Sequence, residues 1–168
     1  CQTCHRQDAE TLRQNVYERQ QKVYDFALKV NKELANAHIY AKFAWDKGAT
    51  EAEMKQCLSD IRKSQWRWDY SLASHGAAFH APQEVMRLLA NSMMYAKDAQ
   101  LQATRVAAKH GFTGQIPLPD ISTREKAAKY VGLDMKTLHA QKQDFLNTVV
   151  PKWIETARKN KRFITKPM

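Results

Sequence analysis

Glycine and proline are scarce in this chain of 168 residues, five of each, which leaves little room for a turn-rich β architecture and favours an all-α fold. Long hydrophobic runs are missing: no stretch approaches the roughly 18 apolar residues that cross a bilayer. No charged-then-apolar signal segment opens the chain either, so a soluble mature piece is expected. Acids are outnumbered, 17 against 27 lysines and arginines, for a formal net charge of +10. Such a surface attracts anions, acidic proteins or nucleic acid, and charge alone does not choose among them. What remains is ordinary for a helical protein, and the length allows one unit burying roughly 70% of its unfolded surface.

Helical periodicity starts at Asp8, whose side chain suits an N-cap. Leu12, Val16, Val23, Ala27, Val30, Leu34, Ala37, Ala41 and Ala44 then recur on one face until Gly48. Thr50 to Glu53 reads as a capping box, followed by Met54, Leu58, Ile61, Gln65, Trp68, Leu72 and His75 on one stripe ending at Gly76. Near-heptad spacing makes this pair an expected antiparallel coiled-coil hairpin. Pro82 opens a third helix, with Val85, Leu89, Ala96, Ala99, Ala103 and Val106 inward, closing at His110 and Gly111. A loop through Pro117 and Pro119 leads to a capping box at Ser122 to Glu125 and a short helix to about Val131. After Gly132, Asp134 caps a last helix that Pro151 is expected to kink, and the basic tail beyond Arg158 should fray. No repeat, low-complexity segment or internal domain boundary is evident.

The most specific signal is Cys1-Gln2-Thr3-Cys4-His5. Two thiols at this spacing add to the two vinyl groups of one haem while the adjoining imidazole reaches its iron. A disulfide or half of a zinc site is the bland alternative. Zinc needs further ligands at short spacing, however, and the remaining cysteine, Cys57, falls inside a helix. Covalent haem attachment in bacteria happens outside the reducing cytoplasm, so the periplasm is the expected compartment. A motif at the first residue leaves no room for structure before it, and a piece of something longer is expected.

His75 and His80 bracket a loop before Pro82, where either is placed to present an imidazole to a metal or simply to hydrogen-bond loop carbonyls. His38, His110 and His139 sit beside polar neighbours and read as solvated or capping residues. Trp66, Trp68 and Trp153 read as packing rather than electron relays. No recognised nucleic-acid-binding pattern accompanies the basic surplus, so solvated helix faces or docking of a redox partner explain it better, and no nucleic-acid partner is expected.

Beyond these motifs the chain presents Gln65-Trp66-Arg67-Trp68-Asp69, Ser74-His75-Gly76, Phe79-His80-Ala81-Pro82-Gln83-Glu84 and Pro119-Asp120-Ile121-Ser122-Thr123. With the opening CQTCH and the long-helix hairpin, they resemble, in order and spacing over essentially all 168 residues, the C-terminal part of the ammonia-forming pentahaem cytochrome c nitrite reductases. The resemblance implies an all-α segment of long antiparallel helices, residues 1–168 forming one piece that carries the fifth haem attachment and dimerisation helices. It implies part of a periplasmic enzyme that reduces nitrite to ammonium with six electrons, fed by a periplasmic or membrane-anchored cytochrome donor and working as a homodimer through these long helices.

By the same resemblance, Cys1 and Cys4 hold one haem c of the family's five by thioethers, and His5 is its proximal iron ligand. His80, in the H-A-P-x-E stretch, is the distal ligand of the preceding haem, whose attachment motif lies upstream of this chain. The distal ligand of the haem at His5 is likewise expected outside it. The family's lysine-ligated catalytic haem, the Arg, Tyr and His around nitrite, and the calcium site have no counterpart here, so no catalytic residue is expected on this segment. A self-contained monohaem helical-bundle electron carrier is the alternative. A colourless helical interaction module with an incidental CxxC is a third reading.

Overall fold

The computed structural model describes residues 4, 6–74 and 76–162. All regular structure among them is helical, in six elements: α1 (Ala9–Asp46), α2 (Glu51–Ala73), α3 (Ala77–His80), α4 (Pro82–Lys109), α5 (Arg124–Tyr130) and α6 (Met135–Lys159). The chain forms two compact units, divided between Leu118 and Pro119.

Local chemistry fixes the helix ends of the first unit. Asp8 accepts from the Thr11 backbone N–H at 2.8 Å and so satisfies one orphan donor of α1. The capping box at α2 is complete: the Glu53 N–H donates to the Thr50 hydroxyl, and the Thr50 N–H donates to the Glu53 carboxylate. Between α1 and α2 the chain reverses through Gly48 at φ +94°, a left-handed conformation that a Cβ disfavours. Pro82 occupies the first turn of α4, where its missing N–H costs nothing.

α4 is the centre of this unit. It packs against both α1 and α2, which touch each other far less, so the expected two-helix coiled coil is instead a three-helix arrangement organised around α4. One core cluster gathers Leu34, Ala37, Ala41 and Ala44 of α1, Met54, Cys57 and Ile61 of α2, and Ala96, Ala99, Ala103 and Val106 of α4. The alanines let the backbones approach closely. A second cluster, Val23, Ala27 and Val30 with Val85 and Leu89, continues toward α3. Each large side chain buried here contributes about 1.5–3 kcal/mol relative to exposure.

The α2 stripe differs from the periodic expectation. Leu58 and Leu72 are exposed, whereas Cys57, Ser64 and Ser71 are buried. The inward face therefore runs Met54, Cys57, Ile61, Ser64, Trp68, Ser71, and its two serines are tolerated because each is satisfied. The Ser71 hydroxyl donates to the Arg67 carbonyl at 2.7 Å. Ser64 and Ser92 exchange bonds across the helix pair, each hydroxyl donating to the other's carbonyl at 2.8 Å.

In the second unit Thr123, not Ser122, caps α5, accepting from the Lys126 N–H at 3.3 Å. Gly132 ends the segment, and Asp134 caps α6 by accepting from the Lys136 and Thr137 N–H groups. α6 is one uninterrupted helix through Pro151 and buries none of its side chains. Leu138, Phe145, Leu146 and Trp153 are all exposed along it.

Candidate functional site

Two turns at one end of the first unit form the candidate site. The first turns of α1 are helical but contribute no buried side chain before Val23. Facing them is α3, a single turn packed on α1 and ending at His80. Between the two lies a cavity of about 540 Å³, its apolar walls formed by Leu12, Val16 and Phe79. Gln7, Asn15, Arg19 and His80 supply its polar lining.

His80 is exposed, and its backbone N–H donates to the Gly76 carbonyl at 3.1 Å, closing the turn. Its ring packs against Phe79 with centroids 4.4 Å apart and planes at 45°. A Cβ added at Gly76 would stand 3.5 Å from the imidazole edge, in ordinary van der Waals contact with it. Among the described residues the His80 imidazole has no hydrogen-bond partner, which leaves a ring nitrogen available as a metal ligand. Arg19 ties the same turn to α1, its Nη1 donating to the Phe79 carbonyl at 3.0 Å.

Of the residues singled out by the attachment motif, Cys4 is described: it is exposed and its thiol is free. Cys1, His5 and the other loop histidine, His75, lie outside the described residues. Gln7, three residues after Cys4, already lines the cavity. Cys57 is a different kind of cysteine. It is fully buried and its thiol lies 3.4 Å from the Ala99 carbonyl, as a weak donor. Burial, reinforced by the charge of Asp60, pushes that thiol up to about 11, so it is an inert core group rather than a nucleophile.

The residues around the cavity fit a haem. A porphyrin presents apolar faces and two carboxylates, and the cavity offers apolar walls with one cationic and several polar groups at its margin, beside an imidazole free to meet iron. Among the described residues no three His, Cys, Asp or Glu side chains converge as a cage for a bare metal ion.

The remaining histidines stand apart from this site. His110 caps the opposite end of the unit, its Nε2 3.1 Å from Glu53 Oε2. The Thr50 backbone N–H, then His110, then the Thr50 hydroxyl hold the Glu53 carboxyl down at about 2. His38 and His139 are exposed. Of the tryptophans, Trp68 is a packing residue, half-buried with its indole N–H donating to the Ala27 carbonyl at 3.1 Å. Trp66 and Trp153 are not core residues: both are 61% exposed, Trp66 stacked on Tyr70 and Trp153 edge-on to Phe145. Arg19 carried no sequence signal, being one cation among many on an exposed helix face.

Comparison with known proteins gives one consistent result. A family model described as Cytochrome c552 matches residues 1–162. Cytochrome c-552 of Porphyromonas gingivalis is 58% identical over 158 residues, covering 94% of this chain and 32% of that protein. Cytochrome c-552 of Bacteroides thetaiotaomicron is 55% identical over 166 residues, 99% of this chain and 34% of that protein. The chain thus spans about a third of the length of these relatives.

Proposed function

This chain belongs to the cytochrome c552 family, and from that membership we propose that it is the C-terminal segment of a periplasmic ammonia-forming nitrite reductase, in which it carries electrons rather than reacts with nitrite. Family membership implies haem c as the cofactor, and haem c supplies reversible one-electron transfer. The observation that carries the reading is the cavity where the start of α1 meets His80, because it gathers ligand, apolar walls and polar margin at the end of the chain that bears the attachment motif.

In this reading the thiols of Cys1 and Cys4 hold one haem by thioether bonds and His5 is its proximal ligand. His80 offers its imidazole as distal ligand to a second haem attached upstream. Two saturated axial positions suit a haem that only passes electrons, since binding nitrite needs an open one. The nitrite site, its lysine-ligated haem and the calcium site belong to upstream chain. A cytochrome on the periplasmic side delivers the electrons, and the basic surface favours an acidic donor. A second copy of the protein is the proposed partner of the long helices; the exposed aromatic and aliphatic side chains along α2 and α6 support that role.

The test is the mass of the denatured, intact polypeptide with its iron content, combined with an assay for ammonium formed from nitrite under a reducing dye. Thioether-linked haem survives denaturation, so five haems per polypeptide and ammonium as product are expected. One haem on a chain of about this length, without ammonium, would instead identify a monohaem electron carrier.

A further inference from the structure

One hydrogen bond at the cavity is not required by any helix: that of the Arg19 guanidinium with the Phe79 carbonyl, 3.0 Å. Phe79 sits in the four-residue α3, where carbonyls near the helix end lack an intrahelical donor. Arg19 therefore fills an acceptor one residue before His80 and fixes the turn that presents the imidazole. A guanidinium has five N–H donors in a rigid fork, and among the described residues the Phe79 carbonyl is Arg19's sole hydrogen-bond partner. Arg19 also lines the cavity, so a carboxylate there meets a cation with donors to spare.

We infer that Arg19 is a positioning residue for the haem that His80 ligates, tying the His80 turn to α1 with one N–H and holding a propionate carboxylate of that haem with the others. The inference rests on the function proposed above, and its consequences are both geometric and electrostatic. Loosening the turn changes the orientation of the imidazole on iron. Removing a cation beside the haem disfavours the reduced form, which carries one more negative charge, and so lowers the midpoint potential.

The test uses the mature, haem-loaded protein, with electron paramagnetic resonance of the ferric haems and a redox titration. His80→Ala is expected to convert one low-spin haem to high spin. Arg19→Ala should keep the His80-ligated haem low-spin and the haem count unchanged, while shifting the g-values of that haem and lowering its potential. Arg19→Lys, which keeps the charge but not the fork, should recover the potential and give intermediate g-values. Parental g-values and potential in Arg19→Ala, with His80→Ala responding, overturn the inference alone; shifted g-values at a parental potential overturn its carboxylate contact. An unchanged spin state in His80→Ala overturns the underlying function instead. If Arg19→Ala does not accumulate, Arg19→Gln keeps a donor for Phe79 without the charge, and a parental potential in that variant overturns the inference.

Discussion

Replacing Ser64 measures how tightly α2 and α4 are locked. Ser64 and Ser92 are both fully buried, with their hydroxyls 3.0 Å apart and each bonded to the other's carbonyl at 2.8 Å. Ser64→Ala removes one interhelical bond, about 1 kcal/mol net. Alanine's better helix propensity returns roughly half of that, so a loss of about 0.5 kcal/mol is expected. The Ser92 hydroxyl keeps its bond to the Ser64 carbonyl, and no buried donor is orphaned. Ser64→Val loses the same bond with no propensity gain and pushes an extra carbon into a fully buried contact where a serine hydroxyl reaches the α4 backbone, which adds about 1–3 kcal/mol. Valine should therefore cost at least about 2 kcal/mol and alanine a quarter of that. Guanidinium unfolding of the haem-loaded protein, followed by far-ultraviolet circular dichroism, reads the difference. A valine variant as stable as the alanine one would refute the tight crossing.

Three further outcomes follow from other features. Gly48→Ala should cost about 1–2 kcal/mol in the same unfolding assay, since the backbone at φ +94° is strained for any residue with a Cβ although space is open, the nearest atom being 3.8 Å away. Acidification should weaken the α2 cap: Glu53 is held at about 2 against an ordinary 4.5, so its contribution is complete above about 4.5 and disappears as pH falls toward 2. Glu53→Gln is expected to flatten that part of the pH–stability profile, and an unaltered profile would show that the Glu53 carboxylate, with its Thr50 and His110 partners, adds nothing there. Replacing both Cys1 and Cys4 by alanine should remove the mass of one haem from the denatured polypeptide, whereas Cys57→Ala should leave the haem count at its parental value.

Much of this architecture was legible because its determinants are local. Asp8, the Thr50–Glu53 box, Pro82 and Asp134 mark helix starts through hydrogen bonds spanning three residues or fewer, or through a missing N–H, and the structure begins α1, α2, α4 and α6 where they indicate. The inward stripes of α1 from Val23 onward and of α4 were largely readable for the same reason, being mostly aliphatic, although the buried Ser92 of α4 escaped it. The α2 stripe was not: its buried face includes Ser64 and Ser71, whose hydroxyls find partners in a neighbouring helix and in the preceding turn, and a serine's burial leaves no trace in hydrophobic periodicity. α4 as the common partner of α1 and α2 was equally hidden, since a stripe shows that a helix is covered but not by which neighbour. At the site, the attachment motif stands out by spacing alone, whereas His80 was singled out by resemblance and its cavity emerged only from the packing of α3 on α1. Arg19 and Phe79 are 60 positions apart; no local pattern joins them.

The first turns of α1, which face α3 across the cavity, bear on biogenesis. From Ala9 to Lys22 the helix extends about 20 Å without a buried side chain, so the tripod of long helices can consolidate its aliphatic interior without waiting for cofactor. On the function proposed above, haem attachment is then an event separable from the consolidation of these helices. In that case a lesion in the scaffold and a lesion in the attachment motif should leave different products in the cell: degraded chain in the first case, intact but paler protein in the second.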